Sequence, residues 1–184
     1  TAVHPEFALA LKFIAAGGRP MHSAFACLVF ELEHAAFAIR EAEPAMIKLQ
    51  WWGEEFASAA RGETRHPLTR VLAAHPAFAT IAPARWHEIV IGALAQRDRE
   101  PAADNAGLFD DYARFYSPLG AIESVLFGVD GTSSSAAMVA ARALRETAAL
   151  PRALQEGRLP LPLDLLARYR LTRGDLVEPS AQRS

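Results

Sequence analysis

Met46–Arg61 reads MIKLQWWGEEFASAAR and runs straight into Gly62–Leu72, GETRHPLTRVL. The first half is built from good helix formers and contains no proline. Gly62 stops it, and His66-Pro67 starts the next element. A proline is tolerated in the first turn of a helix because the N–H it lacks has no intrahelical partner there. Adjacent helix positions point about 100° apart. Trp51 and Trp52 therefore diverge, and the expectation is one core ring and one partly exposed ring; the alternative is a hydrophobic pocket walled by the pair. Glu54-Glu55 reads as a solvated pair on the helix surface, with cation binding as the alternative.

Outward from this stretch the chain reads as all-α. Alanine is abundant, β-branched residues are sparse and no useful length alternates with period two. Pro5–Ala16 reads as a short apolar helix stopped by Gly17-Gly18. Pro20 opens a helix running to about Glu43, with Phe25, Leu28, Val29, Leu32, Ala35, Ala36 and Ile39 as one buried stripe. Pro44 opens the Trp-Trp helix. Pro67–Ala74 and Pro83–Arg99 follow as helices, and Glu100–Gly107 is a polar connection. Leu108–Gly128 carries an aromatic-rich face, with a kink expected at Pro118. Gly128–Ser135 looks like the most flexible stretch, with a following serine as helix cap. Ala136–Gln155 reads as a long helix interrupted near Pro151, Leu163–Tyr169 as a short one and Val177–Ser184 as a polar tail.

The bulk numbers exclude several functions. The chain has 184 residues, 51% hydrophobic and 22% charged, with a formal net charge of −2. One core is affordable at this length, and no basic field invites nucleic acid. Positive charge is mostly arginine, since Lys12 and Lys48 are the only lysines. The single cysteine, Cys27, excludes a disulfide within the chain and reads as a small buried residue. No signal peptide is visible and no apolar run approaches ~18 residues, so a cytoplasmic protein is expected, with contact to a membrane surface as an option.

The Trp-Trp helix with its His-Pro turn resembles the "KLxWWxxE…G…HP" stretch of the squalene/phytoene synthase family. Pro5–Arg40 is similar to that family's two opening helices, and Gly157–Leu166, GRLPLPLDLL, to its "GRxYLPxdLL" segment. Leu94–Tyr112 resembles a helix pair on which Asp98 and Tyr112 fall on a family aspartate and tyrosine. The resemblance covers roughly residues 5–175. It implies one domain over 1–184, an isoprenoid-synthase-type bundle around a central cavity, without the C-terminal helices that the family has beyond Leu176. Phe30, Trp51, Phe115 and Tyr116 are the implied cavity lining.

The family condenses prenyl diphosphates head to head. Its magnesium ions neutralise the leaving diphosphate and are held by aspartates on two facing helices. Carried onto this chain, the first aspartate motif falls on Ala35, Ala36 and Ile39, and the second on about Ala149 and Ala153. None can hold a cation, and Glu31 and Glu33 point to different faces. A "VAGxxG"-like stretch corresponds to Tyr116–Ala121, where Tyr116 and Pro118 would reshape a prenyl tunnel. The mitochondrial complex I assembly factor with this fold also lacks the aspartates. The resemblance thus implies a non-catalytic binding or assembly protein with no cofactor. Arg152 and Arg158 flank the former second motif and are candidates to hold a diphosphate or lipid head group; charges complementing a helix end are the competing reading. Asp98 and Tyr112 are the catalytic candidates.

Two other readings stay open. One is an active prenyl transferase using magnesium on Asp98, Asp110, Asp111 or Glu146, although Asp110-Asp111 reads first as acids favoured at a helix start. The other is an isoprenoid or lipid carrier. Expected partners are therefore a prenyl diphosphate or lipid, or a protein in assembly, and not a nucleic acid. The histidines lack an HExxH-type spacing; His66 and His75 read as turn residues and His34 as a core histidine. Ser133–Ser135 has no GxSxG context.

Overall fold

The computed structural model describes residues 9–177, and every regular element among them is helical. The α-helices are α1 (Arg19–Glu33), α2 (Ala42–Ala60), α3 (Pro67–Ala73), α4 (Pro83–Arg97), α5 (Asn105–Phe127), α6 (Gly131–Ala148), α7 (Leu150–Gln155), α8 (Leu163–Arg168) and α9 (Arg173–Val177). α1 continues into a π-helical turn over His34–Ala38. The expected all-α class is observed.

α5 is the central rod. Tyr112, Phe115, Tyr116, Leu119 and Ile122 recur at spacings of three and four and are completely buried. α4 packs on one side of it and α6 on the other, while α2 lies on α4 and α1 on α3. α5 runs on through Pro118. Proline cannot donate to the Arg114 carbonyl four residues earlier, and α4 makes its closest approach there: a Cβ on Gly92 would stand 2.4 Å from Arg114 O. A glycine lets the two backbones meet at the carbonyl that the proline leaves free.

The α5–α6 hairpin depends on a second such crossing. A Cβ on Gly120 would lie 2.4 Å from the Gly131 carbonyl and 2.9 Å from the Ser135 side chain. Gly120→Ala is expected to cost about 1–3 kcal/mol by overpacking two backbones that cannot easily part. Urea unfolding measures it, and a wild-type midpoint would contradict the tight crossing.

The Trp-Trp segment and the His-Pro turn form one packed unit. Trp52 is buried and Trp51 half-exposed. Both rings meet the His66 imidazole, at centroid distances of 5.7 Å for Trp51 and 5.0 Å for Trp52. His66 caps α3, its Nδ1 accepting from Leu68 N at 3.2 Å, and His75 caps the 3-10 turn Pro76–Thr80 in the same way. Glu55 is completely buried, which corrects the solvated reading of the Glu54-Glu55 pair; Glu54 alone is exposed. The Glu55 carboxylate accepts from the backbone N–H groups of Arg65 at 3.0 Å and His66 at 2.9 Å, from Arg65 Nε at 3.1 Å and from the Thr69 hydroxyl. It ties the turn between two helices to the face of the first.

Other expectations need correcting. The helix from Pro20 leaves helical geometry at Ile39, short of Glu43. Cys27 is exposed, because its neighbour Leu28 takes the buried direction. His34 is likewise exposed. The supposedly flexible Gly128–Ser135 is mostly the first turn of α6. Asp130 caps it, accepting from Thr132 N at 3.1 Å and Ser133 N at 3.2 Å. Those bonds, the one from the Ser133 hydroxyl first, hold the Asp130 carboxyl below its usual pKa. Of the short helix expected at Pro5–Ala16, the described residues show helical Leu9–Ala10 followed by 3-10 turns at Leu11–Phe13 and Ala16–Gly18; its start, like most of the polar tail, lies outside the described residues. Among the described residues no helix is long and apolar enough to cross a membrane.

Candidate functional site

The end of α1, the end of α4, one face of α6 and the α7 region enclose a cleft of about 610 Å³. Its walls carry Ala36, Ile39 and Ala149, three of the five positions assigned to the aspartate motifs; Ala35 and Ala153 are completely buried and do not line it. What surrounds them is guanidinium. Arg40, Arg97, Arg99, Arg142, Arg145, Arg152, Arg158 and Arg173 line the cleft, against Glu100, Glu146 and Glu156.

The floor is a packed ion network. Arg142 lies over the Phe37 ring, 3.7 Å from its centroid, and pairs with Glu146. Glu146 is buried and also faces Arg158 at 3.6 Å. Glu33 is buried beside it and accepts from Tyr116 OH at 2.5 Å and Arg145 at 2.6 Å. Burial first, then the Glu33 carboxylate, pushes the Tyr116 phenol well above its usual range, so it remains a donor. Burial also draws the Arg142 guanidinium below the usual arginine range, against the pull of Tyr116 and Glu33. An arginine stays charged under these conditions.

The network leaves polar atoms over. Gln96 Oε1, Arg97 Nε, Tyr112 OH and Arg142 Nε are buried without a partner. Gln96, Arg97 and Arg142 line the cleft, and Tyr112 lies under it, with the Arg99 guanidinium 4.9 Å from its ring centroid. Unpaired buried polar atoms cost about 1–3 kcal/mol each, so their concentration here marks a place where polar partners belong.

At the mouth, one carboxylate gathers the cations. Glu156 accepts from Arg40 at 2.5 Å and Arg152 at 2.8 Å through Oε1, and from Arg158 at 3.0 Å through Oε2. Hydrogen bonds from Arg152 and Arg158 lead in lowering its pKa to about 2. The turn at Gly157, with φ of +75°, brings Arg158 back beside Glu156; the Arg158 N–H reaches the Ala153 carbonyl at 2.8 Å.

The sequence-derived candidates scatter. Arg152 and Arg158 sit on the cleft. Asp98 is exposed at the end of α4 and does not line it, and Tyr112 is in the core. Phe115 and Tyr116 are completely buried, and Phe30 is half-buried on α1. Trp51 lines a separate groove of about 500 Å³ with Pro44, Ile47, Lys48 and Trp52. Asp110 is exposed, and Asp111 pairs with Arg114 at 3.6 Å. Sequence reasoning set Glu33 aside, as pointing to a different face from Glu31, and did not single out Arg97, Arg142 or Arg145. The signal for part of this set is the spacing of Arg142, Arg145, Glu146 and Ala149, which share one helical face.

A family model described as squalene/phytoene synthase matches residues 1–184. The chain belongs to the squalene/phytoene synthase family. No curated protein matches it. The family's magnesium chemistry asks for several carboxylate oxygens in near-octahedral array. The residues present do not fit that ion: Ala36, Ile39 and Ala149 stand in a cleft lined mainly by arginine. Among the described residues no group of three or more His, Cys, Asp or Glu side chains converges as metal ligands.

Proposed function

We propose that this squalene/phytoene synthase-family protein is a non-catalytic binding protein whose cleft takes a diphosphate-class anion, such as the head group of a prenyl diphosphate or phospholipid, directly on arginine and without magnesium. The observation that carries it is the arginine lining of the cleft, whose walls also hold Ala36, Ile39 and Ala149. Guanidinium forks match phosphate oxygens bidentately and replace a metal ion as the source of positive charge. They bind a diphosphate without supplying the metal-assisted ionisation that condensation requires. Arg97 Nε and Arg142 Nε, buried and unpartnered in the cleft wall, belong to side chains whose guanidinium groups line the cleft.

Calorimetric titration in EDTA tests this. Inorganic diphosphate should bind with a Kd of about 10–100 µM, the scale of a few charge-assisted hydrogen bonds, and weaken with added salt. Arg152→Ala and Arg158→Ala should each weaken binding about tenfold. Incubation with farnesyl or geranylgeranyl diphosphate and Mg²⁺ should yield no condensation product. Product would overturn the non-catalytic reading, and absence of diphosphate binding would overturn the ligand.

An assembly role, of the kind the complex I assembly factor suggests, is the second reading. It is favoured by the apolar groove beside Trp51, where Ile47 of α2 is 60% exposed. A protein partner seated there would protect α2 from hydrogen exchange while leaving the arginine cleft free. A cytoplasmic or membrane-surface location is compatible with either reading.

A further inference from the structure

The three exposed arginines at the cleft mouth come from separate stretches of chain: Arg40 follows the π-turn, Arg152 is on α7 and Arg158 follows Gly157. Their side chains are 67%, 78% and 47% exposed, yet all reach inward to one carboxylate that is only 12% exposed. Surface ion pairs are worth little individually. A carboxylate holding three guanidinium groups nevertheless occupies the donors that an incoming phosphoryl group would need. Carboxylate and phosphate present similar oxygen pairs to an arginine fork, so Glu156 is a chemical stand-in for such a ligand.

We infer that Glu156 is an internal competitor for the anion site: its carboxylate occupies the Arg40–Arg152–Arg158 subsite in the free protein, and a phosphoryl group of the ligand displaces it. This rests on the diphosphate-binding reading and adds its regulation. The exchange also loosens a strap. Glu156 joins the loop after the π-turn to the end of α7, two segments of opposite cleft walls, through the Arg40 pair. A ligand that takes Arg40, Arg152 and Arg158 for itself moves that bridge from the protein to its own oxygens. Because Glu156 titrates only near about pH 2, protonation does not open the site at physiological pH; a competing anion does. A doubly charged phosphoryl group has the advantage in charge and oxygens over one carboxylate.

The test compares inorganic diphosphate binding, in EDTA and at fixed salt, across four proteins. Glu156→Gln keeps the side-chain shape and removes the competitor; it should bind about five- to tenfold more tightly than wild type, the scale of one charge-assisted contact no longer displaced. Glu156→Asp keeps the charge with a shorter reach and should fall between the two. Asp98→Asn removes the same charge from an exposed position near the cleft that does not line it, and should change affinity by less than about twofold, as expected of a screened charge. Thermal unfolding of each variant confirms that the fold is kept. Wild-type binding with equal or weaker binding by Glu156→Gln overturns the competitor while leaving the ligand reading intact. An equal gain in Asp98→Asn also overturns it, by reducing the effect to net charge. Failure of wild type to bind overturns the ligand reading and the competitor with it.

Discussion

Glu55→Ala is expected to be among the most damaging single changes in this chain, costing about 3–5 kcal/mol, the range found when one partner of a buried ionic network is removed. Urea unfolding at neutral pH measures it. The carboxylate is completely buried, and the Arg65 and His66 N–H groups, Arg65 Nε and the Thr69 hydroxyl all donate to it. Alanine leaves the Arg65 and His66 N–H groups without this acceptor, while the Thr69 hydroxyl keeps the His66 carbonyl at 2.9 Å, and it frees the turn that starts α3. The pH dependence has a definite sign. Burial alone would raise the Glu55 pKa, but hydrogen bonds from Thr69, His66 and Arg65 outweigh it and hold the folded value below the ordinary one. The group therefore stabilises the fold above its unfolded pKa, and this stabilisation is lost as pH falls through the folded value. Wild type should lose stability on acidification below the usual carboxylate range, and Glu55→Gln should show a flatter profile there. Parallel profiles would mean that Glu55 does not carry its charge in the folded protein.

Arg97→Met is the second large effect, expected at about 2–4 kcal/mol from several charge-assisted bonds lost at a partly buried site. Its guanidinium gathers carbonyls at the end of the π-turn and in the segment that leads into α2. Nη1 reaches Ile39 O, and Nη2 reaches Arg40 O at 3.1 Å and Glu41 O at 3.4 Å. Those residues are also a wall of the arginine cleft. The variant should therefore weaken diphosphate binding as well as stability, through the wall rather than through contact alone. Arg97→Lys should recover only part of either, because a single ammonium cannot span carbonyls that a planar fork reaches together. Full recovery in both measurements would show that charge alone is sufficient.

Helices were readable because their causes are local. Prolines in first turns, glycine stops and apolar spacings of three and four mark α2, α3, α4 and α5 within a few residues of their ends. The misreadings share a different cause. Gly128–Ser135 looked flexible by composition, yet Asp130 caps it and Gly120 gives its backbone a place to dock. Glu54-Glu55 looked like a surface pair, yet its second member meets donors ten and more residues away. The end of α1 was placed too late because the arginine that collects its carbonyls lies 58 residues from Ile39.

The family resemblance assigned the two aspartate motifs to Ala35, Ala36, Ile39, Ala149 and Ala153, and Ala36, Ile39 and Ala149 share a cleft. Which charges line that cleft was not visible in the sequence. Arg40, Arg97, Arg142 and Arg158 are far apart in the chain, and an arginine is as readily a solvated surface residue as a ligand.

By itself the sequence determined the helical class, most helix starts and the family, because dihedral preference, capping and periodicity act over a few residues. The tertiary structure alone decided which charges are buried, which carboxylate is a structural tie and which arginines face one another. Those depend on desolvation and on distances between residues that only packing brings together. The Trp51-Trp52 helix and His-Pro turn show the division in one place: the spacing announced two helices and a turn, and only the fold revealed Glu55 as the group that binds them.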